Sequence, residues 1–312
     1  MPLHPTLLAE LQASAGKAPY YLLPLPQARE AARQAWLARG PLVPVAAVRE
    51  IDVPGPAGAI RVRLYTPTEE GPHPLVVFFH GSGFTLLDLD THDNLCRGLC
   101  AQSGCVVASV DYRLAPEHPF PAGPADCIAA TRWLVAHADE LGCIEGAFAL
   151  AGDSAGACLA AATGLHLSDQ EGPSPAALLM WYPVTDHPGA QWPSYAAFAQ
   201  GCGLTAQGMA WFWSQYLRDE TQASEASPLR ASSLAGLPPL WVTTAEYDVL
   251  RDEGEAFANR AQREGVQVHL QRAAGMNHGF MKYAGLIDEA TQSMAQAGAW
   301  LRATVANARA IA

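Results

Sequence analysis

The chain has 312 residues, of which 50% are hydrophobic and 16% are charged, so it can bury a large core and is not composed like a disordered protein. Its 30 acidic residues outnumber its 19 basic ones, and the formal charge of −11 argues against binding to nucleic acid. No apolar run approaches the roughly 20 residues of a membrane helix, and no secretory signal is visible. The seven scattered cysteines form no disulfide-like framework. We therefore expect a cytoplasmic protein without stable membrane association.

Helical and extended patterns alternate along the chain. Two helical patterns occupy residues 5–38, and strand-like runs follow near 43–53 and 59–65. From residue 75 onward, short and continuous apolar runs are separated by mostly helical stretches; these runs are 75–79, 105–110, 147–151, 176–181 and 240–245. An alternating strand at 266–272 and a helix at 286–307 close the chain. This alternation predicts a mainly parallel sheet that is covered by helices on both faces.

One segment, residues 186–227, breaks the alternation because it is rich in Trp, Tyr and Phe but has little strand character. We interpret it, together with about residues 1–40, as a helical cap over the carboxyl end of the sheet. The cap and the sheet then belong to a single domain that spans 1–312. An ordinary helical connection is the alternative interpretation of 186–227.

The strongest local motif is the pentapeptide GDSAG at 152–156. An apolar strand precedes it and a helical run at 157–167 follows, which is the setting that a nucleophile elbow requires. The two glycines permit a tight turn, and the turn exposes the hydroxyl of Ser154. The helix N-terminus behind the serine favours developing negative charge. We therefore predict that Ser154 is a catalytic nucleophile.

A serine hydroxyl needs a general base to become nucleophilic at neutral pH. In a fold with this elbow the chain order is serine, acid, histidine, which leaves His269 and His278 as candidates. His269 lies inside the last strand, whereas His278 lies in the loop that follows it. We therefore predict that His278 is the base.

The acid is expected in the loop after the strand 240–245. Asp248 lies in that loop, while Glu246 is closer to the strand and is the weaker alternative. Asp252 and Glu255 have the spacing of a capping box at the start of the next helix, which is a structural role. We therefore predict that Asp248 orients His278.

Acyl transfer also needs hydrogen-bond donors for the oxyanion of the tetrahedral intermediate. The loop HGSGF at 80–84 follows a buried strand, as such a donor loop should. We predict that the backbone N–H groups of Ser82, Gly83 and Ala155 form the oxyanion hole. His80 precedes the serine in the chain, and a structural role that holds the loop is favoured over catalysis.

Two further groups of residues are candidates for functional roles. Phe84, Trp211 and Phe212 are candidates for substrate binding, although the aromatic stripe at 211–216 fits core packing of the cap equally well. His92, Cys96 and Cys100 recur every four residues on one helix face, but no fourth zinc ligand is evident and buried cysteines that pack a helix are common. We predict no metal site.

The chain resembles the hormone-sensitive-lipase family of esterases. The blocks that carry the resemblance occur in the family's order from about residue 50 to 281; they are HGSGF at 80–84, DYRLAPEHPFPA at 111–122, GDSAG at 152–156, DVLRDEG at 248–254 and HGF at 278–280. The resemblance implies an α/β-hydrolase fold, an eight-stranded sheet with one antiparallel strand and a helical cap. It also implies hydrolysis of short- to medium-chain esters without a cofactor, and it supports the roles given above to Ser154, Asp248, His278 and the donor loop.

The resemblance further implies a homodimer through the edge strand at 266–272. One position departs from the family, which usually has three glycines after the loop histidine where this chain has a serine at Ser82. Two alternative functions remain. A non-catalytic binding protein is one, since plant gibberellin receptors resemble this family, and an amidase or lactonase that uses the same residues is the other.

Overall fold

The apolar runs of the sequence assemble into one sheet. The computed structural model describes residues 2–37, 41–81, 83–170 and 172–311. Within these residues the strands are β1 (Ala47–Gly55), β2 (Gly58–Thr66), β3 (His73–Phe79), β4 (Val106–Val110), β5 (Cys143–Asp153), β6 (Leu178–Trp181), β7 (Leu240–Tyr247) and β8 (Val268–Asn277). The strands lie in the order β1-β2-β4-β3-β5-β6-β7-β8.

One strand of this sheet, β2, runs against both of its neighbours, and the pairings from β4 to β8 are parallel. The predicted α/β-hydrolase architecture, with eight strands and a single antiparallel one, is therefore confirmed. Because the central strands are parallel, their carboxyl ends meet along one edge of the sheet. The loops that follow β3, β5, β7 and β8 all leave from this edge.

Helices cover both faces of the sheet. Their bounds are α1 (Pro5–Ser14), α2 (Leu25–Trp36), α3 (Asp93–Ser103), α4 (Ala122–Ala136), α5 (Ala155–Ser168), α6 (Pro193–Ala197), α7 (Ala206–Tyr216), α8 (Arg251–Arg263) and α9 (Asp288–Ile311). The core on one face includes side chains of α4, α5 and α8, and the core on the other face includes side chains of α3 and α9. In the part of the chain that is described, none of these helices is both long and apolar enough to cross a membrane.

The central strand β3 illustrates why the apolar runs are continuous. Leu75, Val77 and Phe79 pack on the α5 side, whereas Val76 and Phe78 pack on the α3 and α9 side. All five side chains are buried. A strand that is covered on both faces needs apolar residues at every position, which is why no alternation is visible in its sequence.

The two segments assigned to the cap meet above the carboxyl edge of the sheet. The ring of Tyr20, in a short turn between α1 and α2, stacks on the ring of Phe212 in α7 with centroids 5.1 Å apart. Arg29 fastens α2 to the loops below, because it donates to the carbonyl oxygens of Thr85 and Ala115 and forms a bidentate pair with Glu117. The boundaries 1–40 and 186–227 stay a prediction, and residues 1 and 38–40 lie outside the described part.

The capping box predicted at the start of α8 is wrong. The helix begins directly after Leu250, whose side chain makes no capping hydrogen bond. Asp252 instead accepts a hydrogen bond of 2.8 Å from the backbone N–H of Ser194. Glu255 forms a bidentate pair with Arg272 of β8. Both carboxylates are therefore bound by tertiary partners that sequence spacing does not reveal.

Candidate active site

Ser154 occupies the sharp turn between β5 and α5. Its backbone angles, φ 54° and ψ −120°, lie in a region that residues other than glycine rarely adopt. The N–H of Ser154 donates to the carbonyl oxygen of Trp181, and its own carbonyl oxygen accepts from the N–H of Val184. These two bonds to the segment after β6 hold the strained turn in place, as strain at functional turns requires.

The glycines on either side of the turn are required by close packing. A Cβ atom on Gly152 would lie 2.4 Å from the carbonyl group of Gly156. A Cβ atom on Gly156 would lie 1.9 Å from the carbonyl oxygen of Phe79. Helix α5 can therefore approach β3 and β5 this closely only because both residues lack side chains.

We expect Gly156→Ala to lower the free energy of unfolding by about 3 kcal/mol or more, because the backbone of β3 cannot move away from the added methyl group. Urea denaturation measures the change. Gly164→Ala in the same helix is the matched control, since its methyl group would meet only side-chain carbons, of Leu237 at 3.3 Å and of Leu150 at 3.7 Å. The control is expected to stay within about 1 kcal/mol of the wild type. Equal stabilities of the two variants would contradict the packing argument.

Three side chains form a hydrogen-bonded row across the carboxyl edge of the sheet. Nδ1 of His278 lies 2.7 Å from Oδ2 of Asp248, and Nε2 of His278 lies 2.9 Å from Oγ of Ser154. Oδ1 of Asp248 accepts from the backbone N–H of Leu250 at 3.0 Å. Because the carboxylate accepts hydrogen bonds, Nδ1 carries the proton and Nε2 is left to accept the serine proton. The structure thus brings together the three residues selected from the sequence.

The surroundings of the row are largely dry. Asp248 is 1% exposed, and the ring of His278 meets the edge of the buried Tyr182 ring at a centroid distance of 4.9 Å. Asn277, next to His278, donates a hydrogen bond from Nδ2 to the carbonyl oxygen of Cys202. That bond ties the histidine loop to the segment between α6 and α7. A shielded carboxylate–histidine pair keeps the imidazole in one orientation.

The predicted donor loop lies beside Ser154. Gly81, Gly83 and Ser154 line the same cavity, and Ala155 is the first residue of α5. Gly83 has a positive φ of 56°, and a Cβ atom there would lie 2.2 Å from the Phe212 ring. Ser82 lies outside the described residues. Glycine at position 83 is therefore needed both for its backbone angle and for the close approach of α7.

A cluster of polar side chains is buried beneath the elbow. Asp153 is fully buried, and its Oδ1 accepts from the N–H of Gly81 at 2.7 Å and lies 3.2 Å from Nε2 of His92. Burial alone would raise the pKa of Asp153, but the His92 ring and the Gly81 N–H hold that pKa below its ordinary value. The sequence interpretation missed the role of Asp153, although its position inside the GDSAG motif was a signal.

His80 has a structural position. Its ring is buried and stacks on Tyr112 with centroids 4.6 Å apart, and its carbonyl oxygen accepts from the Tyr112 hydroxyl at 2.6 Å. Burial, together with the neighbouring His92, lowers the pKa of His80 to about 4. The ring is therefore neutral at physiological pH, and its contacts hold the donor loop against the segment after β4.

Ser154 and His278 open into a cavity of about 390 Å³. Its apolar walls come mainly from the cap and the loop after β3, with lining residues that include Leu11, Tyr20, Trp36, Leu86, Leu87, Met209 and Phe212. Glu10 and Lys282 also line it and form an ion pair at 3.2 Å. A largely apolar cavity with a few polar groups suits a small ligand that carries one reactive polar bond.

The three residues selected for substrate binding have different positions. Phe212 lines the cavity. Phe84 is buried with its ring stacked on Tyr216 at 3.8 Å, and Trp211 packs beside Tyr20; neither is among the described residues that line the cavity. Trp36 and Tyr20 take up wall positions that the sequence interpretation did not assign.

The histidine and cysteines considered for zinc binding are engaged elsewhere. His92 faces Asp153, and the thiol of Cys100 lies 3.3 Å from the carbonyl oxygen of Tyr65. Burial raises the pKa of the Cys100 thiol to about 12, which disfavours the thiolate that metals require. Across the described ranges, no three His, Cys, Asp or Glu side chains cluster in a way that would hold a metal ion.

Another buried carboxyl group lies in α8, just after the loop that carries Asp248, and the sequence interpretation did not single it out. Glu253 in α8 is fully buried, and its Oε1 accepts from the N–H groups of Thr185 and Asp186 at 2.8 and 3.2 Å. Burial raises the pKa of Glu253 to about 8. The folded protein therefore keeps a proton on Glu253 at neutral pH.

This proton makes stability depend on pH. An unfolded glutamate loses its proton near its ordinary pKa of 4.5, whereas folded Glu253 keeps it up to about 8. Because the folded state binds the extra proton in this range, the Glu253 contribution to stability falls as pH rises from about 4.5 to about 8. We expect Glu253→Gln, which is neutral and keeps the acceptor oxygen, to flatten the dependence. Urea unfolding at several pH values measures it, and identical slopes in both proteins would contradict the assignment.

Comparison with known proteins shows which family and which relatives the chain is similar to. A family model described as the alpha/beta hydrolase fold matches residues 76–282. Carboxylic ester hydrolase LipN of Mycobacterium tuberculosis is 44% identical over 242 residues, and the match covers 75% of this chain and 64% of LipN. Ethyl acetate hydrolase of Pseudomonas putida is 34% identical and is matched over 94% of this chain and 96% of its own. A hyperthermophilic esterase from the archaeon Pyrobaculum calidifontis superposes with a TM-score of 0.92 at 37% identity, covering 97% and 99% of the two chains.

Proposed function

The chain belongs to the α/β-hydrolase family and, within it, to the hormone-sensitive-lipase group of esterases, and from this membership we propose that it is a serine carboxylesterase. The observation that carries the proposal is the row from Asp248 through His278 to Ser154, with distances of 2.7 and 2.9 Å. A nucleophile, its base and an orienting acid are the groups that two-step acyl transfer requires.

The proposed reaction has two halves. Oγ of Ser154 attacks the ester carbonyl carbon while Nε2 of His278 takes the hydroxyl proton, and Asp248 stabilises the imidazolium that results. His278 then gives this proton to the departing alkoxide, which leaves as the alcohol. In the second half His278 takes a proton from water, and the hydroxide attacks the acyl carbon of the acyl-enzyme. The tetrahedral intermediate then collapses, the bond to Oγ breaks, and His278 returns its proton to Oγ, which releases the carboxylic acid and free Ser154.

The backbone N–H groups of Ser82, Gly83 and Ala155 are the proposed donors to the oxyanion. The support is that Gly83 and Ser154 line one cavity and that Ala155 begins helix α5, whose N-terminal dipole favours negative charge. The carbonyl oxygen gains its charge only in the transition state. Donors fixed in advance by the loop therefore act on the rate more than on ground-state binding.

Short- to medium-chain acyl esters are the proposed substrates. The apolar cavity of about 390 Å³ has room for a small acyl or alcohol group and is bounded by Trp36, Phe212 and Met209. The similarity to ethyl acetate hydrolase over nearly the whole chain supports small esters.

A panel of p-nitrophenyl esters from acetate to palmitate tests the proposal. We expect kcat/KM to be highest for acyl chains of roughly two to eight carbons, because longer chains lose contact with the cavity wall. Anilides and lactones with matched acyl groups are the control substrates. Faster turnover of anilides or lactones would favour the amidase or lactonase alternative, and binding without turnover of any substrate would favour a receptor.

We also propose that the protein forms a homodimer through the edge strand β8. In the described chain β8 pairs with β7 alone, and Leu270 on β8 is 37% exposed. The unpaired backbone groups of such an edge strand can pair with a second copy. Sedimentation of the wild type tests for a dimer, and a charged substitution at Leu270 tests whether β8 forms it.

We also propose that the protein is located in the cytoplasm. All seven cysteines are free thiols, and six of them are buried. Free thiols persist in a reducing compartment, where disulfides do not accumulate. Fractionation of the native cells with detection of the protein tests this location.

A further inference from the structure

The buried contact between His92 and Asp153 has no part in the mechanism above. His92 precedes α3, and Asp153 directly precedes Ser154. Their atoms Nε2 and Oδ1 lie 3.2 Å apart, and both side chains are completely buried. A buried carboxylate without a nearby cation is strongly unfavourable. The contact therefore raises the question of which protons the His92 ring carries.

The hydrogen bonds of Thr91 determine whether Nδ1 of His92 carries a proton. Nδ1 of His92 lies 3.0 Å from Oγ1 of Thr91. The single hydroxyl proton of Thr91 is donated to the carbonyl oxygen of Asp88 at 2.7 Å, so the Thr91 oxygen can only accept from His92. Nδ1 therefore carries a proton.

The other nitrogen, Nε2, faces Oδ1 of Asp153. That oxygen already accepts a hydrogen bond of 2.7 Å from the N–H of Gly81, as a carboxylate oxygen does. The contact is at ion-pair distance rather than in hydrogen-bond geometry, and a bare ring nitrogen would set its lone pair against the carboxylate, so Nε2 also carries a proton. From these contacts we propose that His92 is a buried imidazolium whose ion pair with Asp153 positions the oxyanion loop of the esterase.

The pair acts on the reaction through Gly81. Asp153 directly precedes the nucleophile Ser154, and its carboxylate accepts a hydrogen bond from the N–H of Gly81, the first glycine of the donor loop. The carboxylate therefore sets the distance between the donor loop and the turn that carries Ser154. Without the His92 charge, a lone buried anion would stand next to the place where the oxyanion forms. Such a charge disfavours an anionic transition state, and a displaced loop costs rate as well. His92 is thus a positioning residue, and this inference rests on the proposed esterase function.

Other groups also face the pair. His80 packs against the His92 ring at a centroid distance of 5.4 Å, and Trp36 of α2 stacks on the His92 ring at 5.1 Å. Burial and the charge of His92 lower the pKa of His80 to about 4, so His80 does not share the positive charge. Tyr182 and Cys96 are two further titratable groups that interact with Asp153. Burial raises the pKa of the Tyr182 hydroxyl and of the Cys96 thiol, which leaves both neutral. The Asp111 carboxylate acts on His80 from the segment after β4.

Nitrogen NMR of the ring tests the charge without any assay of activity. We expect both ring nitrogens of His92 in the wild-type protein to be protonated at neutral pH. His269 is the internal control, because it too stacks on an aromatic ring, that of Trp241, and burial lowers its pKa, so one of its nitrogens should lack a proton. An unprotonated nitrogen on His92 at neutral pH overturns the proposal, whether or not any variant folds.

Kinetics on p-nitrophenyl butyrate test the positioning role. We expect His92→Gln to lower kcat by about 10- to 100-fold with KM changed by less than about threefold, because the loss falls on the transition state. The double variant His92→Gln/Asp153→Asn removes both charges and should be faster than His92→Gln alone. A role in packing alone predicts the opposite order. His269→Gln should match the wild type.

The outcomes separate the two proposals. If the wild type hydrolyses no ester, the proposed function fails whatever the NMR result. If the wild type is active and folded His92→Gln keeps a kcat within twofold, or if the double variant is slower than the single one, the ion pair does not position the loop. If His92→Gln does not fold, the double variant and the wild-type NMR measurement still decide.

Discussion

Ser154→Ala is expected to lower kcat for p-nitrophenyl butyrate on the order of 10⁶-fold. The hydroxyl removed is the one that lies 2.9 Å from Nε2 of His278, and alanine has no atom that can form the acyl-enzyme. Ser154 is 7% exposed and its hydroxyl opens into the cavity, so the substitution leaves no void in the core. The fold should therefore survive, with the melting temperature within a few degrees of the wild type.

Ser168→Ala is the matched control for this measurement. Ser168 ends the same helix, and its hydroxyl donates to the carbonyl oxygen of Leu165 at an exposed position. This variant should keep the activity of the wild type. A purified Ser154→Ala protein that retained a tenth of that activity would identify another nucleophile. Labelling by a p-nitrophenyl phosphonate adds a second readout, since one equivalent should attach to Ser154 in the wild type and none in the variant.

Much of the sheet was predictable because its central strands are buried on both faces. The apolar run at 75–79 matches the core of β3, and the run at 240–245 matches β7 closely. The ends of the strands were less predictable. The run at 147–151 gave only part of β5, since Glu145 and Gly146 interrupt the apolar pattern where the pairing with β3 shifts register. Strand β8 extends beyond the predicted 266–272 and runs to Asn277, directly before the histidine loop.

The row of three site residues could be selected from the sequence because each follows a strand of the parallel sheet. The supporting contacts could not. His92 and Asp153 meet only through the packing of α3 against the elbow, and Glu253 holds a proton only because its surroundings are dry. Phe84 was a candidate for substrate binding in the sequence. Its positive φ of 62° and its stack on Tyr216 put the ring in the core instead.

The cap residues illustrate a further limit. Trp36 stands in a polar, Arg-containing helix, and nothing in that pattern indicates a cavity wall. In the folded chain it lines the cavity, stacks on His92 and lies beneath the ammonium group of Lys282 at 5.3 Å. A Cβ atom on Gly279 would lie 2.8 Å from the Trp36 ring, so the glycine after His278 makes room for it. These contacts join the cap to the catalytic edge of the sheet, and they depend on tertiary packing that local patterns do not encode.

Asp248→Asn is expected to lower kcat about 10⁴-fold while the protein stays folded. The reason is the hydrogen bond from Leu250. Oδ1 of Asp248 accepts from the Leu250 N–H at 3.0 Å, and the asparagine must keep its single oxygen there, because its NH₂ group cannot accept. The NH₂ group is then turned toward Nδ1 of His278, at the position where Oδ2 now lies 2.7 Å away.

This orientation of the asparagine reverses the tautomer of His278. A donor that faces Nδ1 favours the tautomer with the proton on Nε2, and that nitrogen can no longer take the proton of Ser154. Raising the pH does not restore kcat, since the neutral His278 ring stays in the tautomer that carries its proton on Nε2. We therefore expect the loss in kcat to persist across the pH range in which the wild type is active. Asp252→Asn is the control, because Asp252 binds the Ser194 N–H rather than a histidine, and it should alter kcat by only a few-fold. If Asp248→Asn retained more than about a hundredth of the wild-type kcat, the acid of the triad would have to be another carboxylate, and Glu246 near the end of β7 would be the next candidate.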